Sequence, residues 1–173
     1  MEKVGFIGAC DKQNIIIYVA KILQIIGKKV IVVDTTMLQK MKYIVPAIKP
    51  TKTYITDFEN IDFAVGFKSL DDIAKYLRIK TEEMPYDYML IDIDHDKALE
   101  YFEIENTTHN YFVTSFDTFS LMRGTEILKN ITEPMNLSKI FPNKKKFCIK
   151  TAKISRRIWK EILKIMQNLL RRS

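Results

Sequence analysis

Cysteine is scarce in this 173-residue chain, with Cys10 and Cys148 the only two. Two cysteines cannot build a disulfide framework, and no C-x-x-C pair is present for zinc. Histidine is as rare, limited to His95 and His109, which weakens a metal-site reading further. Five Gly and five Pro exclude a collagen-like, linker-rich or disordered chain. No apolar run approaches the ~18 residues that a transmembrane helix needs. The longest apolar stretch, Ile15 to Ile26, is interrupted by Tyr18, Lys21 and Gln24. No A-x-A-like cleavage site follows it, so it does not read as a secretory signal. The expected location is the cytoplasm, with the inner face of a membrane as an extension of that reading.

Hydrophobic residues make up 47% and charged residues 28%, the balance of a globular protein. The length suits one domain of about 100–200 residues, taken here as 1–173. The net charge of +7 is unevenly spread. Residues 139–173 hold eight Lys, four Arg and one Glu, whereas 1–138 hold sixteen basic and twenty acidic groups. A mildly acidic body therefore carries a strongly basic end. Such an end suits an anionic partner or a solvated surface.

Lys3 to Ile7 is a short apolar run, Asn14 to Ile26 a helix apolar on nearly all sides, Gly27 its stop, and Lys29 to Val33 a second buried strand. Two apolar strands joined by a buried helix predict a parallel sheet. Met37 to Val45 reads as a short helix before Pro46. Tyr54 to Phe58 and Ile61 to Phe67 read as a hairpin around Glu59-Asn60. Ser69 opens a helix with Leu70, Ile73, Ala74 and Leu77 inward. Tyr88 to Ile93 and Asn110 to Ser115 are further strands. Lys97 to Phe102 and Thr118 to Lys129 are helices, the latter with Leu121, Ile127 and Leu128 inward, and Phe147 to Lys150 is a weak strand. The fold class is α/β, three-layer, with a mostly parallel sheet and helices on both faces.

Ligands of such sheets sit at the carboxyl ends of the strands. Those ends carry Gly8 to Asn14, Asp34-Thr35-Thr36, Asp92 to Asp96 and Ser115-Phe116-Asp117. Gly8 and Lys12 have the spacing of the second half of a phosphate-binding loop at a helix start. Two further requirements fail. Asp11 stands where a glycine is wanted, adding negative charge where phosphate would lie, and Gln13 stands where a hydroxyl should hold magnesium. A dinucleotide reading fails because G-x-G-x-x-G is absent. Asp92, Asp94 and Asp96 lack the downstream Gly or Glu of a calcium loop.

The order of these features resembles the ParA/MinD-type P-loop ATPases. The segment Gly27 to Asp34 is similar to the end of that family's first helix and its second strand, Tyr86 to Asp92 to its Walker B strand, and Phe112 to Ile127 to the next strand and helix. The resemblance covers about residues 3–130. It implies a nucleotide-binding set of Gly8, Lys12, Asp34 and Asp92, with Lys12 on phosphate, Asp34 beside the attacking water and Asp92 supporting magnesium. Ile7 falls where the family has its signature lysine. With that lysine, a loop glycine and the magnesium hydroxyl missing, the resemblance implies a non-hydrolysing relative with no catalytic residue and no cofactor. ATP and magnesium enter under an alternative, a weakly active ATPase.

Residues 154–172 form a basic amphipathic stretch: Ile154, Ile158, Trp159, Ile162, Met166 and Leu169 recur at intervals of three and four. Three readings stand for this helix: packing on the sheet, lying on an anionic membrane, or docking on a partner. The expected contact surface is Lys144, Lys145, Lys146, Arg156, Arg157, Trp159, Lys160, Lys164, Arg171 and Arg172. The expected role is as an assembly, positioning or regulatory component working through protein partners. A nucleic-acid-binding module using the same basic end is the other alternative.

Overall fold

The computed structural model describes residues 1–46, 52–104, 109–132 and 147–149. The expected helix at 154–172 and every residue of the expected basic contact surface lie outside the described residues.

The described elements are β1 (Glu2–Ile7), α1 (Gln13–Ile25), β2 (Val30–Asp34), β3 (Tyr54–Phe58), β4 (Ile61–Val65), α2 (Leu70–Leu77), β5 (Tyr88–Ile93), α3 (Lys97–Tyr101), β6 (His109–Thr114), α4 (Thr118–Thr132) and β7 (Phe147–Ile149). They build one seven-stranded sheet in the order β3-β4-β2-β5-β1-β6-β7. Every pairing is parallel except β3 with β4. This is the expected α/β architecture.

The central strands are apolar runs because both faces are covered. All six residues of β5 and all five of β2 are buried. On one face, α1 sets Ile15, Ile16, Val19, Ala20 and Leu23 against Val30, Val32 and Leu90. On the other, α2, α3 and α4 bury Ile73, Leu99, Phe102 and Ile127 against Ile31, Met89, Ile91 and Phe112. Ile7, in the signature-lysine position, is fully buried in this second layer.

Local chemistry fixes several boundaries. Ser69 Oγ accepts from the Asp72 N–H and caps α2. Glu59 and Asn60, both at positive φ, turn β3 back on β4, so the hairpin forms the outer sheet edge. Two expectations differ in detail. The segment after β2 makes only a 3₁₀ turn, Lys40–Tyr43, anchored by Met41. Leu121 faces outward, 44% exposed, as do its neighbours Phe119 and Met122.

Candidate functional site

The register places the site. Asp34 and Asp92 are paired neighbours at the carboxyl ends of β2 and β5. Beside them β1 ends at Ile7, and the turn Gly8–Lys12 leads into α1. The Gly8 N–H donates to the Ile93 carbonyl at 2.9 Å, which ties the turn to β5.

Lys12 is the central side chain. It is 1% exposed, and its ammonium lies 2.6 Å from Asp92 Oδ1 and donates to the Gly8 carbonyl at 2.7 Å. A surface position for Lys12 is thereby excluded. A lysine at a helix N-terminus meets the positive end of the helix dipole. No side chain caps α1 and no acidic residue occupies its first turn, so Asp92 is the group that balances this charge.

Asp92 is fully buried. Its Oδ1 faces Lys12, while among the described residues Oδ2 has no hydrogen-bond partner. Burial drives its carboxyl up from 3.8 to about 6 against the pull of Lys12, and the Asp34 and Asp94 carboxylates add to the rise. Its backbone carbonyl accepts from Thr35 Oγ1 at 2.6 Å.

Asp34 is buried too, but its oxygens serve the chain. Oδ1 accepts from the Thr36 N–H at 2.9 Å and hydroxyl at 2.6 Å, and Oδ2 accepts from the Met41 N–H at 2.9 Å. Asp34 thus shapes the loop after β2 as an Asx-type turn. Asp94 binds the Met37 N–H and His95 Nδ1. Burial raises its carboxyl, but the His95 hydrogen bond, the Met37 N–H and the Lys12 charge more than offset that and hold it below the ordinary range.

Gly8 has φ +151°, and a Cβ there would lie 1.9 Å from the Val113 carbonyl oxygen of β6. Its missing side chain lets β6 approach the turn. Asp11 does not fill the turn, contrary to the sequence expectation: its carboxylate is 61% exposed and pairs with Lys40. Gln13 is buried. Cys10 is a buried thiol whose Sγ lies 3.4 Å from the Val113 carbonyl. His109 begins β6 and is buried.

The structure therefore brings Gly8, Lys12 and Asp92 into contact and sets Asp34 beside them with its oxygens occupied. Ser115 and Asp117 serve the next helix instead. Asp117 accepts from the Ser115 hydroxyl and from the Ser120 N–H at 2.8 Å, capping α4. Sequence reasoning missed Val113 and Met41, which act through backbone atoms and leave no residue-type signal. Among the described residues, no group of three or more His, Cys, Asp or Glu is placed to hold a metal. No described helix is long and apolar enough to cross a membrane.

No protein-family model and no curated protein matches the sequence. Solved structures do match. A plasmid partition protein from Borrelia burgdorferi superposes with TM-score 0.61 at 14% identity, over 99% of this chain and 99% of that one. MinD in the MinC:MinD complex of Aquifex aeolicus gives 0.55 at 14%, over 95% and 78%. A ParA-family ATPase from Chlorobium tepidum gives 0.52 at 13%, over 94% and 81%. The chain has the ParA/MinD-type fold. Within that fold the turn after β1, the start of α1 at Lys12 and Asp92 of β5 lie together at the carboxyl ends of the strands.

Proposed function

We propose that this chain is a non-hydrolysing protein of ParA/MinD-type fold that serves as an assembly, positioning or regulatory component through protein–protein contacts. The observation that carries this reading is the buried Lys12–Asp92 pair. A magnesium triphosphate needs free N–H groups around a small-residue loop, a free lysine, a hydroxyl and accessible carboxylates. Here Lys12 is tied to Asp92 and Gly8, Asp34 is occupied by Thr36 and Met41, and Gln13 replaces the hydroxyl. These residues do not fit that ligand. A role through partners agrees with the Aquifex relative, which was solved as a complex of two proteins.

The test is calorimetry with ATP and magnesium, together with phosphate release, on the pure full chain. The expected result is no saturable heat, no turnover above background and no rise in melting temperature. Saturable binding or turnover that Lys12→Ala removes would establish the weakly active ATPase instead.

A further inference from the structure

The chain's two cysteines are far apart in sequence, and the sheet brings both to one residue of β6. Cys10 sits in the turn after β1, and its Sγ donates to the Val113 carbonyl at 3.4 Å. Cys10 and Val113 belong to the same apolar cluster, on the face of the sheet that carries α1. On its other flank β6 pairs with β7 in parallel, and Cys148 is the register partner of Val113. Register partners in a ladder share a face, so position 148 falls on the α1 face too. The two cysteine positions thus flank a single residue, one from the β1 side and the other from the β7 side. Position 148 is one strand spacing, ~4.8 Å, from the residue whose carbonyl the Cys10 sulfur touches. A disulfide joins Cα atoms up to about 7 Å apart. Closure therefore asks for a local displacement of the turn or of the three-residue strand β7, and not for a new fold.

We propose that Cys10 and Cys148 are a redox pair that closes to a disulfide across β6 when the chain meets a peroxide. The thiolate of one cysteine attacks the peroxide: an S–O bond forms, the O–O bond breaks, and the leaving hydroxide takes up a proton as water. The second thiolate then attacks the sulfenic sulfur: the S–S bond forms, the S–O bond breaks, and a second water leaves. Two thiols are oxidised and one peroxide is reduced to two waters. A small dithiol reopens the bridge by exchange. The bond acts on the turn that the candidate site is built from. Cys10 lies between Gly8 and Lys12, and the Lys12 ammonium donates to the Gly8 carbonyl across it. A bridge at Cys10 therefore fastens this turn to β7 and restrains the buried Lys12–Asp92 pair at its far end. The proposal rests on the strand register and the Cys10 contact, and it is independent of how the turn treats a nucleotide.

The experiment uses the full chain, reduced, freed of reductant and treated with hydrogen peroxide at low protein concentration. The intact mass is expected to fall by two hydrogens, and neither cysteine should take up maleimide after denaturation. A tryptic digest is expected to join peptide 4–12 to peptide 147–150. Dithiothreitol should reverse all three results. The bridge closes a loop of about 140 residues in the unfolded chain, so the urea midpoint of the oxidised chain is expected to rise by about 1–2 M. Cys10→Ser and Cys148→Ser should each abolish both the mass loss and the midpoint shift. Two thiols that still label after peroxide would overturn the proposal. So would chains linked to one another, oxygen added to one cysteine while the other still labels, or a bridge that lowers the midpoint. None of these readouts involves ATP, so nucleotide binding by the chain would leave this result standing.

Discussion

At the residue scale the molecule turns on one buried ion pair. Removing one partner of such a pair leaves an uncompensated charge, which costs about 3–5 kcal/mol, whereas replacing both by apolar groups of similar size is often neutral. Lys12→Met is therefore expected to lose roughly that amount in urea unfolding. The double variant Lys12→Met/Asp92→Leu should recover most of it. A double variant no better than the single would mean that the Lys12 hydrogen bond to Gly8, not the pair, is what matters. The same site has a pH signature. Asp92 is raised in the folded protein, so the native state keeps a proton that the unfolded chain has lost. Its contribution is greatest below its ordinary value of 3.8 and is lost as pH rises to about 6. Asp94 and Asp117, held low, work in the opposite sense at more acidic pH. The decisive quantity is thus the stability difference between the wild type and Asp92→Asn. It should decline between pH 4 and 6 and stay flat above; a difference that rises across that window would refute the assignment.

Among the elements, those buried on both faces were the most legible. The apolar run Tyr88–Ile93 appears in the structure with the boundaries read from the sequence, and Ser69 caps α2 as its neighbours Asp71 and Asp72 suggest. Ser69→Ala is expected to cost about 1 kcal/mol in thermal unfolding. Elements at the rim were read less well. Leu121 fits an apolar stripe but is exposed, and only tertiary placement decides that. The 3₁₀ turn at Lys40–Tyr43 has one buried residue, too few for any period to appear. In the site, Lys12 and the two aspartates were legible from residue type, whereas the exposed turn of Asp11 depends on Lys40, twenty-nine positions away. The hairpin sets two local effects against each other. Glu59 has φ 53° and also pairs with Lys21 at 2.8 Å on the surface. A left-handed non-glycine residue costs about 1–3 kcal/mol, and an exposed ion pair contributes about 0–1. Glu59→Asn, whose side chain tolerates that backbone, should therefore be neutral or stabilising by about 1 kcal/mol. A clear loss in the thermal midpoint would show that the ion pair governs the turn.

For the whole molecule, the strand order decides where stability is concentrated. Strands β5 and β1 lie between parallel neighbours and under helices on at least one face, while β3 is an antiparallel rim with four of its five residues, all but Tyr54, partly or well exposed. Opening free energies are lowest where backbone hydrogen bonds meet solvent. Amide exchange is expected to be slowest at Leu90 and Ile91 and fastest, among the strands, at Thr56 to Phe58. Equal protection across the sheet would argue against this gradient.

The crowded meeting of Gly8 with the Val113 carbonyl limits what a transplant could achieve. Swapping residues 8–13 for a glycine-rich, threonine-bearing segment would supply the missing side chains. It would leave the Val113 carbonyl of β6 against position 8, where a Cβ would lie 1.9 Å from its oxygen. Any graft that places a side chain at position 8 therefore has to move β6, whatever it brings at positions 9–13.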